Sequence, residues 1–177
     1  MTQGTIKQNL HNRIHIAQSL IASVKNSLPG RKLKIIGVTG TDGKTTTTTM
    51  IFHILKSSGK KVGFISTIKA KYNDKEIDTG YHVTTPDPWD VPKYLKLMVD
   101  EGVEYVVLES TSQGLEQNRL FGLNFEVGVI TNIKEDHLDY HKTWENYARS
   151  KFKLVNMVKR GGRVVLNKDD KKSAQWL

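Results

Sequence analysis

Cysteine is absent from the 177 residues. Its absence excludes disulfides and thiolate metal sites, and it fits a reducing cytoplasm. No apolar run approaches the roughly 20 residues that a bilayer span needs, so no membrane partner is expected. Carboxylates are missing from the whole N-terminal stretch, the first being Asp42. No run of about five or more clustered cations occurs, and aromatics do not alternate with basic residues as an RNA-binding sheet would need. Nucleic acid is therefore not the expected partner, although the net charge is +9. The same excess suits a lysine-rich solvated surface, or a protein whose ligands are anions. Linkers, repeats and low-complexity segments are missing too, apart from one run of threonines.

Apolar residues make up 37% of the chain and charged ones 25%, which fits one folded domain with a real core. Ile6, Leu10, Ile14, Ala17, Ile21, Val24 and Leu28 recur at helical spacing in a basic setting. A transit peptide has some of these features, but "LPGRKLK" closes the segment and leads straight into a strand. The favoured reading is a connecting helix over 1–32 that packs its apolar stripe on the body of the domain. "KLKIIGVTG" then reads as a strand ending at Gly40, and the threonine run as a helix stopped by Gly59. "KVGFISTI" is a strand, and "KAKYNDKEIDTGYHVTT" a short hairpin turning at Asn73-Asp74. Pro86 and Pro88 break the chain before a helix from Trp89 to Asp100. "EYVVLEST" is a strand, "QGLEQNRL" a short helix and "FEVGVITNI" a strand. A helix from Trp144 to Val158 precedes the strand "GGRVVLNKD". Such alternation implies an α/β fold, a mostly parallel sheet flanked by helices on both faces. The closing "KKSAQWL" reads as the first turn of a further helix, cut rather than capped.

The stretch "IIGVTGTDGKTTTTTM", Ile35 to Met50, carries the most specific chemistry. A strand that delivers a glycine-rich turn to a helix N-terminus makes a phosphate cradle from inward-pointing N–H groups and the helix dipole. Gly40, Thr41, Asp42 and Gly43 would form the turn, and Thr45 and Thr46 open the helix. Lys44 would add a full charge to the phosphates, and the Thr45 hydroxyl can ligate Mg²⁺. The strict phosphate-loop pattern fails at Val38, where its first glycine should stand. An ordinary strand–helix turn is the plain alternative.

The loop "TGTDGKTT" resembles that of the Mur ligase family, which usually has Asn at the position of Asp42. "TTPDP", "ESTSQGLEQNR", "TNIKEDHLDYH" and "YARSK" follow in the family's order, over roughly Leu33 to Asp170. The resemblance is to the ATP-binding central domain, with a fold like that of P-loop NTPases, over 33–177. It is closest to the branch that adds the third residue of the peptidoglycan stem peptide. It implies a cytoplasmic ligase that uses ATP and Mg²⁺ to join an amino acid to a UDP-N-acetylmuramoyl-dipeptide through an acyl phosphate. Lys44, His137 and a carbamylated Lys151 would then act in catalysis, and Glu109, His137, Lys151 and Thr45 would hold metal. Asn132 would contact nucleotide, with Asp136 and Asp139 orienting His137 or capping the next helix. Thr84, Thr85, Thr111, Gln117 and Arg119 would bind the UDP-sugar substrate. The family usually has serine where Thr111 stands and histidine where Gln113 stands, so an acid–base role at Gln113 is not carried over.

Other readings remain open on sequence. A folylpolyglutamate- or cyanophycin-type ligase shares the loop, while "DHLDYH" and "TTPDP" favour the muramyl branch. A GTPase should show Asn-Lys-x-Asp; Asn167-Lys168-Asp169-Asp170 has that spacing, and the match is read as accidental. A non-catalytic nucleotide-binding module, or one subunit of a split ligase, is the third. The family's other two domains, for UDP and for the incoming amino acid, are not recognisable here. This chain by itself is therefore not expected to ligate, and a partner chain could supply the rest.

Overall fold

The computed structural model describes residues 3–67, 69–73, 75–78, 85–174 and 176. Helix α1 spans Gln3–Lys25 and is followed by a single 3-10 turn at Pro29–Arg31. Strand β1, Lys34–Thr39, is a β-branched run, and helix α2, Lys44–Ser57, follows it. Strand β2 is Val62–Ile65, and β3, Lys69–Tyr72, and β4, Lys75–Asp78, form the expected hairpin. Helix α3 (Asp90–Asp100), strand β5 (Tyr105–Glu109), the five-residue helix α4 (Ser112–Glu116) and strand β6 (Phe125–Ile130) come next. Helix α5 is Leu138–His141, α6 Trp144–Asn156, β7 Val158–Leu166 and α7 Lys171–Ala174. None of the described helices is long and apolar enough to cross a membrane.

The seven strands are ordered β4-β3-β2-β5-β1-β6-β7. All pairs from β2 to β7 are parallel, and β3 and β4 add an antiparallel edge. Period-2 alternation gives the sheet two apolar faces. Val38 and Val107 point to one face, under Phe52 of α2, with Val62 and Phe64. Ile35, Val106 and Leu108 point to the other, packed with Leu95 and Met98 of α3, Leu115 of α4 and Leu154 of α6. The expected mostly parallel sheet with helices on both faces is what forms. Because β1 is central, its C-terminal end opens between β5 and β6, where open α/β sheets bind ligands.

Two expectations need correction. Helix α1 forms, but it does not bury its apolar stripe. Leu10, Ile14, Ile21 and Val24 are exposed, the last at 67%, whereas Asn12, His15, Ser19 and Ser23 are buried. Helical periodicity finds the stripe but not the side that faces the protein. Besides α3, the helix meets the backbone carbonyls of Gln117, Asn118 and Arg119, and those require donors. Strand β7 starts at Val158 rather than Gly161. Phe125 N already donates to Met157 O, so the chain lies beside β6 as soon as α6 ends. The register then jumps, from Phe125↔Val158 to Val127↔Arg163.

Candidate functional site

The loop after β1 is shaped from outside by the residues that follow β6. Thr41 N donates to Asn132 O at 2.8 Å, and Asp42 N to Asn132 Oδ1 at 3.0 Å. Asn132 Nδ2 and Thr131 Oγ1 both donate back to Asp42 O, at 3.1 and 2.6 Å. The contact is so close that a Cβ on Gly40 would lie 1.8 Å from Thr131 Oγ1. Gly43 takes φ 76 and turns the chain into α2, a conformation that L side chains rarely adopt. Asn132 thus holds the loop with its carboxamide.

Lys44 folds over this loop and donates from Nζ to Thr41 O at 2.8 Å. Thr45, in the first turn of α2, donates to both oxygens of Glu109, at 3.1 and 3.0 Å. Thr46 follows it and is exposed. Glu109 ends β5 and is 2% exposed, and burial raises its pKa against the opposing pull of the Thr45 hydrogen bond and of Lys44. Lys151 reaches in from α6, 1% exposed, donating to Gly40 O at 2.6 Å and lying 4.4 Å from the centre of the Tyr147 ring. Burial first, and then the Lys44 charge, lower its pKa to about 7. His137 stands at the rim with φ 51, half exposed, 3.5 Å from the Asp136 carboxylate. Lys44, Glu109, His137 and Lys151 line one cavity of about 440 Å³ with Thr67, Thr111, Ser112, Gln113 and Tyr147. Asp139 is not among its lining residues; its carbonyl accepts from Lys142 instead.

Of the other expected residues, Thr111 lines this cavity, and Thr85, Gln117 and Arg119 are joined to it through hydrogen bonds. Thr111 caps α4 by accepting from Gly114 N, and its hydroxyl meets that of Thr85 at 3.1 Å. Thr85 N donates to Thr111 Oγ1, and Thr111 N to Thr85 Oγ1, so the two residues close a ring of bonds. Arg119 donates to Thr85 O and to Gln117 Oε1, each at 2.8 Å. Thr84 lies outside the described residues.

Three side chains near the site carried no expectation of their own. Tyr147 OH meets Thr41 Oγ1 at 3.1 Å, and burial pushes its pKa up to about 12. His141 is buried, its Nε2 3.1 Å from Ser112 Oγ, and burial lowers its pKa to about 4. His141 and Tyr147 do stand within the quoted stretches "TNIKEDHLDYH" and "YARSK", and Ser112 within "ESTSQGLEQNR". The spacing alone gives no reason to single them out.

A buried carboxylate, Glu109, and a buried amine, Lys151, thus flank the loop after β1. The family described as Mur ligase middle domain matches residues 38–177. UDP-N-acetylmuramoyl-L-alanyl-D-glutamate--2,6-diaminopimelate ligase 1 of Clostridium acetobutylicum is 46% identical over 143 residues, which is 81% of this chain and 29% of that ligase. The chain thus spans less than a third of the length of that relative. A solved UDP-N-acetylmuramoyl-L-alanyl-D-glutamate--2,6-diaminopimelate ligase superposes with a TM-score of 0.75 at 27% identity, over 90% of this chain and 33% of that one. Mycobacterium tuberculosis folylpolyglutamate synthase complexed with ADP and AMPPCP gives 0.70 at 16% identity, over 91% and 44%, and so shares the fold.

Proposed function

The chain belongs to the Mur ligase family through its middle domain, and on that premise we propose that it is the ATP-binding part of a carboxylate–amine ligase of peptidoglycan precursor synthesis. Residues 33–177 form the central domain in this reading, and 1–32 the connecting helix. One observation carries it. The Thr45 hydroxyl is held on both oxygens of the buried Glu109, with Lys44 and Lys151 on the loop that Gly40 lets close. The phosphates of ATP fit the loop from Gly40 to Thr45, under Lys44.

The donor set also fits Mg²⁺. Thr45 and Glu109 supply hard oxygens from inside and His137 a nitrogen at the rim. Bound there, the ion would neutralise phosphate charge so that a carboxylate could approach. Lys151 is suited to carbamylation, because a pKa near 7 leaves much of the amine neutral at physiological pH. The neutral amine adds to CO₂ and loses a proton, which turns a buried cation into an anionic oxygen ligand.

The acceptor follows from the relative's name, a UDP-N-acetylmuramoyl-L-alanyl-D-glutamate. Its carboxylate oxygen attacks the γ-phosphorus of ATP and ADP leaves. The amine of the incoming amino acid then attacks the acyl carbon and phosphate leaves. Lys44 would stabilise the charge on the transferring phosphoryl group. Thr85, Thr111, Gln117 and Arg119 would hold the acceptor, with Thr84 beside them in sequence. The muramyl branch is favoured over a folylpolyglutamate-type ligase because 46% identity links the chain to the former and only the fold, at 16%, to the latter.

Calorimetric titration with Mg-ATP and Mg-GTP, on the parent chain and on Lys44→Ala, tests this reading. The parent chain is expected to prefer ATP, and the variant to bind it at least about tenfold more weakly, the loss of a charge-assisted contact. Equal affinity of the two chains, or no binding by either, would sink it.

A further inference from the structure

The buried polar face of α1 has a counterpart across from it. Helix α4 is five residues long and ends in a turn where Asn118 takes φ 57. Carbonyls at a helix end have no partner within the helix and need donors from elsewhere. His15 Nδ1 lies 3.1 Å from Gln117 O, and Ser19 Oγ donates to Arg119 O at 3.1 Å and to Asn118 O at 3.3 Å. A carbonyl only accepts, so His15 carries its proton on Nδ1. Burial lowers its pKa, which favours the neutral ring. Gln8 Nε2 donates to Tyr140 OH at 3.0 Å, and Gln117 Nε2 reaches the same hydroxyl at 3.1 Å.

This braced turn carries Arg119, which reaches Thr85 and, through it, Thr111 on the cavity wall. Arg119 uses Nε on Gln117 and Nη1 on Thr85 O, two of the five N–H groups of its guanidinium. Thr85 in turn is bonded to the Thr111 cap. Small errors in the 117–119 backbone would be magnified along the Arg119 side chain. A guanidinium recognises an anion through a fixed planar fork, so its orientation matters as much as its charge.

We propose that His15 and Ser19 of α1 are positioning residues for the acceptor subsite: by bonding the carbonyls of Gln117, Asn118 and Arg119 they aim the Arg119 guanidinium at an anionic group of the acceptor. The inference rests on the proposed function, which puts the acceptor at Thr85, Thr111, Gln117 and Arg119. It gives α1 a task that its hydrophobic pattern conceals.

The test compares His15→Leu/Ser19→Ala, which removes both donors, with His15→Asn/Ser19→Thr, which restores an N–H and a hydroxyl. Each chain is titrated with UDP-N-acetylmuramoyl-L-alanyl-D-glutamate and, separately, with Mg-ATP, and its melting temperature is recorded. The first variant is expected to lose about tenfold in acceptor affinity, the scale of two neutral hydrogen bonds. Its Mg-ATP affinity stays unchanged, and the second variant recovers most of the loss. Unchanged acceptor affinity overturns the proposal. So does a loss that Mg-ATP affinity and melting temperature share, because α1 would then be a brace for the whole fold. If the parent chain binds Mg-ATP but not the acceptor, the acceptor assignment itself fails and the positioning role falls with it.

Discussion

Beside the loop at Gly40, a carboxylate and an amine are buried in the cavity: Glu109, whose pKa burial raises, and Lys151, whose pKa falls to about 7. Around Thr111, which lines the same cavity, Thr85, Gln117 and Arg119 are tied to one another and to backbone through paired donors and acceptors. The first region is strained electrostatically without a ligand, and the second is largely satisfied without one. Buried groups of opposite sign are costly unless further partners reach them, and a metal ion with phosphates would be such partners. A hydrogen-bond network built on threonine hydroxyls, a carboxamide and one guanidinium instead fixes positions in advance, which suits recognition of one shape. In the proposed function the contrast would divide the labour: binding energy at the loop, orientation at the threonine ring.

The largest expected effect is on how stability depends on pH. Lys151 has a folded-state pKa lowered to about 7 from 10.5. Between those values the unfolded chain binds a proton there that the folded chain does not. Stability of the unliganded chain therefore rises with pH across that window, by up to about 1.4 kcal/mol per unit. Lys151→Met should flatten the rise, as denaturant titrations at pH 7, 8.5 and 10 would reveal. An unchanged slope would mean that the amine is solvated.

Next in size, Gly40→Ala pushes a methyl group into Thr131 and the loop out of place. It should cost about 3 kcal/mol in denaturant unfolding and abolish nucleotide binding, since strain and overpacking add. Thr111→Val removes the acceptor for both Thr85 N and Gly114 N. It should cost about 2 kcal/mol while leaving Mg-ATP affinity nearly intact. A large loss of Mg-ATP affinity in that variant would break the division between the two regions. The smallest effect is that of Glu109→Gln on the unliganded chain. The raised pKa of Glu109 means that its ionised form opposes folding as pH climbs past its ordinary range. The variant should therefore melt slightly higher than the parent at pH 8.

The loop was legible because all its parts lie in one short run, and turn chemistry there is local: Gly40 and Gly43 flag backbone that only glycine accepts. Glu109 was legible as the last residue of an apolar run, where a carboxylate is out of place. Lys151 was reached only through resemblance, because helical spacing cannot tell a fully buried lysine from a partly exposed one such as Lys153 beside it, which pairs with Glu116. His141 and Ser112 went unremarked because their 3.1 Å contact joins positions that only the packing of α4 and α5 against α6 brings together. The orientation of α1 misled for a related reason. Hydrophobicity predicts which side a helix buries only when the opposing surface is apolar, and α1 meets the carbonyls of Gln117, Asn118 and Arg119.

The division of labour rests on Glu109 as the seat of the metal ion, and ATP affinity measured with Mg²⁺ and with EDTA, for the parent chain and Glu109→Gln, tests this most directly. The parent should bind ATP at least about tenfold more tightly with Mg²⁺, a modest return for pairing a buried charge, and the variant should lose that gain while keeping its metal-free affinity. An equal gain from Mg²⁺ in both chains would contradict the assignment and place the ion elsewhere.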